Sequence, residues 1–343
     1  MSDLGKIDRE LFDTVIYPEL GADRADVTLG PTHGIDFGVI DVGGDALVTA
    51  TDPLSVLPGL GFGRAGRFAL DVVLADVAVS GIPPTHLSVT FTLPPEMTDD
   101  ELAAMWHGFA GRAEEVGVSV VTGHTARYAG VDYSWVGGAT VLGVGSHDDI
   151  VRPDGARPGD KLVVGTGPGA EVTGLFAHLF PEQLGLTPDR TAVAQERLAD
   201  TALVEDATAA ANTGDVTAMH DATEGGITGA FIEMADGASA RFDVDSDAVP
   251  VADGVADVCD AVDIDPWQVS SCGTLLAAVD PADADDVVGA LRSRGTPAAV
   301  VGEVTDGEGL YVDGARQSHP GADPSWEAFA RLQAAAEGDA DTG

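Results

Sequence analysis

Lysine is almost missing from this chain: Lys6 and Lys161 are its only two, and arginine carries nearly all the other positive charge. Against 17 basic residues stand 57 acidic ones, a formal net charge of -40 over 343 residues. Without a basic stripe to neutralise phosphates, the chain is not expected to bind nucleic acid. Cysteine is scarce too. Cys259 and Cys272 cannot build a disulfide framework or a four-cysteine zinc site, so buried thiols are expected. Nowhere do about 18 apolar residues run together, and Met1-Ser2-Asp3-Leu4-Gly5-Lys6 has no basic stretch leading into an apolar one. Neither a membrane span nor a secretory leader is expected, which points to the cytoplasm.

Apolar residues and acids are what the chain has in plenty. At 44% apolar it can fill packed interiors, and its length suggests about two domains. The acids are spread along the sequence and must coat the folded surface rather than gather in one block. Such a coat repels itself in dilute buffer, and molar salt, with a screening length of about 3 Å, relieves the repulsion. In this the composition resembles that of proteins from extremely halophilic archaea.

Strand and helix patterns alternate along the chain. Ala46 to Ala50, His86 to Leu93, Val118 to Val121 and Gly137 to Gly145 read as strands, with helices over Gly66 to Ser80 and Asp99 to Val116. The turn-rich stretch Val151 to Asp160 suits a domain boundary. Beyond it, Lys161 to Val164, Gly273 to Val279 and Ala298 to Val304 read as strands, and Ala192 to Asn212 and Asp285 to Ser293 as helices. The expected organisation is a domain over 1–155, a second over 156–315 and an acidic tail over 316–343. That tail carries Trp326, Phe329 and Leu332 on one side of a short amphipathic piece and is expected to fray at its end.

Two glycine turns follow strands. Met219-His220-Asp221-Ala222-Thr223-Glu224-Gly225-Gly226-Ile227 puts a polar turn before a helix whose Ile227, Ala230, Phe231 and Met234 share one face. Thr223 stands where an N-cap hydroxyl belongs, and Gly225 and Gly226 let a phosphate approach the free N–H groups at the positive end of the helix. An ordinary capped helix is the alternative. Gly165-Thr166-Gly167-Pro168-Gly169-Ala170 fits G-x-G-x-x-A, yet Pro168 stiffens it and no strand ending in an acid follows at the dinucleotide-binding distance. A phosphate-cradling turn of another kind is expected there.

Carboxylates stand where core or turn residues belong. Asp36 lies in Gly34-Ile35-Asp36-Phe37, Asp52 ends Thr51-Asp52-Pro53, and Asp76 shares a helical face with Val72, Val73, Val77 and Ser80. A buried carboxylate needs a cation or several donors beside it, although each Asp taken singly reads first as a turn or cap residue. His124, expected just past a strand in Thr122-Gly123-His124-Thr125, could contact a phosphate or ligate a metal, and Arg127 could clamp an anion.

Several of these segments, in order, resemble motifs of the aminoimidazole ribonucleotide (AIR) synthase superfamily. They are Thr51-Asp52-Pro53, Ala75-Asp76-Val77-Ala78-Val79-Ser80-Gly81, Thr122-Gly123-His124-Thr125, Pro158-Gly159-Asp160, His220-Asp221-Ala222-Thr223-Glu224-Gly225-Gly226, Ser270-Ser271-Cys272-Gly273 and Val301-Gly302-Glu303-Val304. The superfamily includes the hydrogenase maturation factor HypE, thiamine-monophosphate kinase and selenophosphate synthetase. The resemblance implies an α/β (α+β), PurM-like fold of two domains, a dimerising N-terminal sheet domain and a C-terminal α/β domain. It implies ATP bound with Mg²⁺ at Asp36, Asp52 and Asp76. Nucleotide or phosphate contacts would come from Thr51, Gly123, Thr125, Arg127, Gly167, Gly169, Asp221, Thr223, Gly225 and Gly226. His124 and Asp76 would take part in catalysis, a small-molecule acceptor would be activated by phosphorylation, and the chain would form a homodimer. A thiamine-monophosphate type of kinase and a non-catalytic nucleotide-binding assembly protein are the alternatives.

Departures from the pattern bear on that expectation. Ile35, Ala75 and His124 occupy positions where the family often has an acid or amide, and each removes an oxygen ligand. HypE proteins end in a cysteine that receives the transferred group, whereas this sequence ends Asp341-Thr342-Gly343, so the HypE reaction is not expected as such. Cys272 splits the usual Ser-Ser-Gly run and is expected to be a structural thiol.

Overall fold

Alternating burial builds the sheet of the first half of the chain. Its strands are β1 (Val27–Leu29), β2 (Gly38–Val42), β3 (Asp45–Ser55), β4 (His86–Leu93), β5 (Ser119–Arg127) and β6 (Trp135–Gly145), in the order β1-β2-β3-β6-β4-β5. The computed structural model describes residues 9–340, beginning at the short helix α1 (Arg9–Leu11). Helices α2 (Phe62–Ala78) and α3 (Asp99–Glu115) back the sheet, with Ala46, Val48 and Ala50 of β3 in one core with Leu70, Leu74 and Phe109. A reciprocal cap starts α3: the Glu101 N–H donates to Thr98 Oγ1 at 3.2 Å and the Thr98 N–H to Glu101 Oε2 at 2.7 Å.

The second half carries β7 (Lys161–Gly165), α4 (Ala170–Leu179), α5 (Pro188–Glu196), α6 (Val204–Ala211), β8 (Val216–Ala222), α7 (Gly226–Ala238) and β9 (Arg241–Val244). These are followed by α8 (Val255–Val262), β10 (Ser271–Val279), α9 (Ala284–Ser293), β11 (Ala298–Thr305), β12 (Gly309–Val312), β13 (Ala315–Arg316) and α10 (Pro324–Ala340). Its sheet runs β13-β12-β9-β11-β7-β10-β8. Both β8 and β10 are buried along their whole length because both faces are covered. Leu276 and Ala278 of β10 pack with Ile227, Phe231 and Met234 of α7, while Leu275, Ala277 and Val279 join the core that contains α2 residues. One apolar core therefore ties the halves together. Arg112 of α3 reinforces it, donating from Nε to Asp71 of α2 at 2.5 Å and from its two terminal nitrogens to Glu205 of α6 at 2.6 and 2.8 Å.

Four local expectations change. β5 continues past Val121 to Arg127, so Gly123, His124 and Thr125 lie inside an edge strand, exposed on a stretch with no alternation to mark its length. The helix expected from Ala192 to Asn212 breaks at Arg197–Thr201 into a 3-10 turn, where Gly174 of α4 presses on the backbone of Leu198. Thr223 does not cap α7; Gly225, at φ 86°, holds the N-cap position and no side chain caps the helix. The short amphipathic piece expected in the acidic tail runs on into a full helix, α10, with Ala328 and Leu332 buried and Phe329 packed against Phe176 and Phe180. Met1–Lys6 and the final Asp341-Thr342-Gly343 lie outside the described residues. Among those described, no helix is long and apolar enough to cross a membrane.

Candidate active site

Local structure brings four aspartates, Asp36, Asp52, Asp76 and Asp221, near one another at the seam of the halves. Gly34, at φ 71°, turns the chain against α7, where a Cβ on it would lie 3.4 Å from Glu233 Cβ, and Asp36 follows two residues later. Asp52 lies in β3 opposite Ala139 of β6. Side chains alternate along a strand, so Thr51 points to the other face, where its hydroxyl meets that of Thr140 at 2.9 Å. Asp76, on α2, is 8% exposed, and His220 and Asp221, on β8, are 2% and 1% exposed.

These carboxyls act on one another's charge. Burial holds the Asp76 carboxyl well above the usual carboxylate range, and the negative fields of Asp221, Asp52 and Asp36 and a carboxyl–carboxyl hydrogen bond with Asp52 push the same way. Two carboxyls bond in this manner only with a proton or a cation between them. For His220, burial opposes charging, but the hydrogen bond to Asp221 and the facing Glu233 carboxylate outweigh it and push the ring up to about 10. Its Nδ1 lies 3.3 Å from Asp221 Oδ1 and its Nε2 3.3 Å from Glu233 Oε2. Asp221 Oδ2 is buried and has no hydrogen-bond partner among the described residues. Apart from the His220 ring, the carboxylates around Asp76 offer only oxygen and repel one another, a set that fits a hard divalent cation such as Mg²⁺.

The glycine turns behave differently from each other. Gly226, at φ 60°, admits no side chain, since a Cβ would come 2.5 Å from Trp267 O, and its N–H donates to Thr223 O at 2.9 Å. A Cβ on Gly225 would lie 3.3 Å from the His319 ring. Both stand just beyond Asp221. By contrast Gly167 and Gly169 face Pro250 and Pro266, so glycine there serves protein packing.

The remaining expected site residues lie elsewhere in the chain. His124 sits in register with Thr90, Gly138 and Pro53, three strand spacings from β3, or about 14 Å by ladder geometry. Its Nε2 is 2.9 Å from the Tyr128 hydroxyl. Arg127 donates to Met97 O at 3.0 Å and Asp99 Oδ1 at 2.8 Å, so it braces the start of α3. Thr125 pairs with Phe91, and a Cβ on Gly123 would press on Val89 O at 2.6 Å.

Sequence reasoning missed His220, Glu233 and Glu171. A signal existed for His220: it forms, with Asp221, a polar pair in a strand whose other residues are apolar apart from Thr217. Glu171 is buried in the first turn of α4 and accepts from Ser270 Oγ at 2.6 Å and the Cys272 N–H at 2.8 Å, and burial raises its pKa. Burial also pushes the Cys272 thiol well above its ordinary value, as suits a structural thiol.

Residues 34–144 match the AIR synthase related protein, N-terminal domain, and residues 157–314 the corresponding C-terminal domain. Carbamoyl dehydratase HypE of Escherichia coli (strain K12) is 30% identical over 290 residues, 82% of this chain and 82% of that protein. The chain belongs to the AIR synthase-related family. Carbamoyl dehydratase HypE of Rhizobium leguminosarum bv. viciae is 29% identical over 288 residues, 81% of this chain and 79% of that protein. The AIR synthase-related fold recurs in a solved hydrogenase maturation protein HypE in complex with ATP, with a TM-score of 0.70 at 23% identity, covering 94% of this chain and 98% of that one. Within this AIR synthase-related protein, Asp36, Asp52 and Asp76 fall in the first matched region and Asp221 in the second.

Proposed function

We propose that this AIR synthase-related protein is an ATP- and Mg²⁺-dependent enzyme that activates a small-molecule acceptor by phosphorylating one of its oxygens. The observation that carries this reading is the meeting of Asp36, Asp52, Asp76 and Asp221 from both halves around one buried carboxyl. Mg²⁺, when bound, neutralises charge on triphosphate oxygens. Asp52 and Asp76 would hold it, with Asp36 assisting. Asp221 leads directly into the Gly225-Gly226 turn, and the first turn of α7 beyond it, which no side chain caps, would receive the acceptor or its phosphate. Phosphoryl transfer asks a protein chiefly for positioning and charge neutralisation, which is what these groups offer.

The HypE relatives are named carbamoyl dehydratases, and losing water from a carbamoyl group requires its oxygen to leave. Phosphorylation makes that oxygen a leaving group, so a carboxamide-type oxygen is the first acceptor class to try. His124 takes no part in the site of its own chain. A homodimer suits the open edge at β5 and the exposed Val121, Trp135 and Val144. The test is ADP release from ATP and Mg²⁺ in molar KCl, with carboxamide acceptors added one at a time. Acceptor-dependent ADP supports the reading, and a protein that neither binds ATP nor yields ADP with any acceptor contradicts it.

A further inference from the structure

We propose that Asp36, His220 and Asp221 form a second cation site, one that takes a divalent first-row transition ion in preference to Mg²⁺. It adjoins the nucleotide site proposed above and shares Asp36 with it, but needs no ATP to bind.

One ligand atom from each of the three residues lies within 4.8 Å of the others, a spacing that a single ion can bridge. Asp221 and His220 are almost wholly buried, and Asp36 is the least buried of the three. Within this cluster Asp221 Oδ2 is sealed from water without a hydrogen-bond partner among the described residues. Buried polar atoms are nearly always satisfied, and an orphaned carboxylate oxygen points to a partner that binds there. The imidazole decides the class of ion. Mg²⁺ strongly prefers oxygen ligands, whereas imidazole nitrogen beside carboxylates suits first-row transition ions.

The surroundings agree with that assignment. With Nδ1, the nitrogen beside Asp221, turned to the ion, Nε2–H faces Glu233 Oε2 at 3.3 Å. A carboxylate behind a ligating histidine fixes the ring's orientation and tautomer. Asp36 comes from the first half and the other two ligands from β8, so the ion would also pin the halves together. The competing arrangement is a metal-free imidazolium paired with its acidic neighbours.

The test uses the full chain, stripped with chelator and held in molar KCl to suppress loose binding to the acidic surface. MnCl₂ is titrated without nucleotide, read by Mn²⁺ electron paramagnetic resonance and by the melting temperature, with MgCl₂ in large excess as competitor. The expected result is one Mn²⁺ per chain that resists Mg²⁺ and raises the melting temperature. His220→Gln should weaken it on the order of tenfold or more, and Asp36→Asn, at the least buried ligand, should do the same in a folded protein. Asp52→Asn should keep the Mn²⁺ while weakening Mg²⁺-dependent ATP binding, so failure here and failure of the nucleotide reading are told apart. Displacement of Mn²⁺ by equimolar Mg²⁺, or unchanged Mn²⁺ affinity in both ligand variants, would overturn the proposal.

Discussion

At the scale of single residues, the cluster leaves a signature in the pH dependence of stability. Asp76 has a raised folded pKa, so it holds its proton where the unfolded chain has lost it. Its contribution is present at low pH and is lost as pH rises from 3.8 through the folded value. His220 works in the same direction: its contribution is complete below 6.5 and is lost as pH climbs to about 10. Chelator-treated protein should therefore lose stability from pH 6 to pH 9 in urea titrations at fixed KCl, and a rise over that window would contradict the assigned contacts. Asp36, Asp52 and Asp76 stand out in the sequence because each interrupts a core or turn pattern, whereas Asp221 enters only with the motif His220 to Gly226. Glu171 and Glu233 do not stand out, since only packing between distant elements buries the first and sets the second beside His220.

At the scale of elements, glycine separates crowding from propensity. α3 crosses α2 so closely that a Cβ on Gly108 would overlap the Gly63 carbonyl, while one on Gly111, a turn later, meets nothing within 4 Å. Gly108→Ala should cost about 1–3 kcal/mol through overpacking, and Gly111→Ala should gain up to about 1 kcal/mol from helix propensity. Denaturation of both variants checks this, and equal effects would refute the crossing. The same contrast explains what could be read in advance. β4 was readable at both ends because its burial alternates, and α3 because acidic residues follow a capping threonine. β5 lacks alternation on an exposed edge, and the break at Arg197–Thr201 comes from α4 pressing on the chain. Neither cause is local in sequence.

At the scale of the whole molecule, two properties compete. The core common to both halves and the Arg112 cluster hold them in register, while a net charge of -40 pushes the surface apart. Screening should favour the first, so the melting temperature should rise from dilute buffer to molar KCl, and a flat response would count against a strained charge coat. The register matters because the acids belong to different halves. The most direct measurement is calorimetric titration of ATP, with and without Mg²⁺ in molar KCl, into the wild type, Asp76→Asn and Asp221→Asn. Convergence predicts Mg²⁺-dependent binding that each substitution, one from either half, weakens on the order of tenfold or more. Binding that ignores Mg²⁺, or that survives both substitutions unchanged, would contradict it.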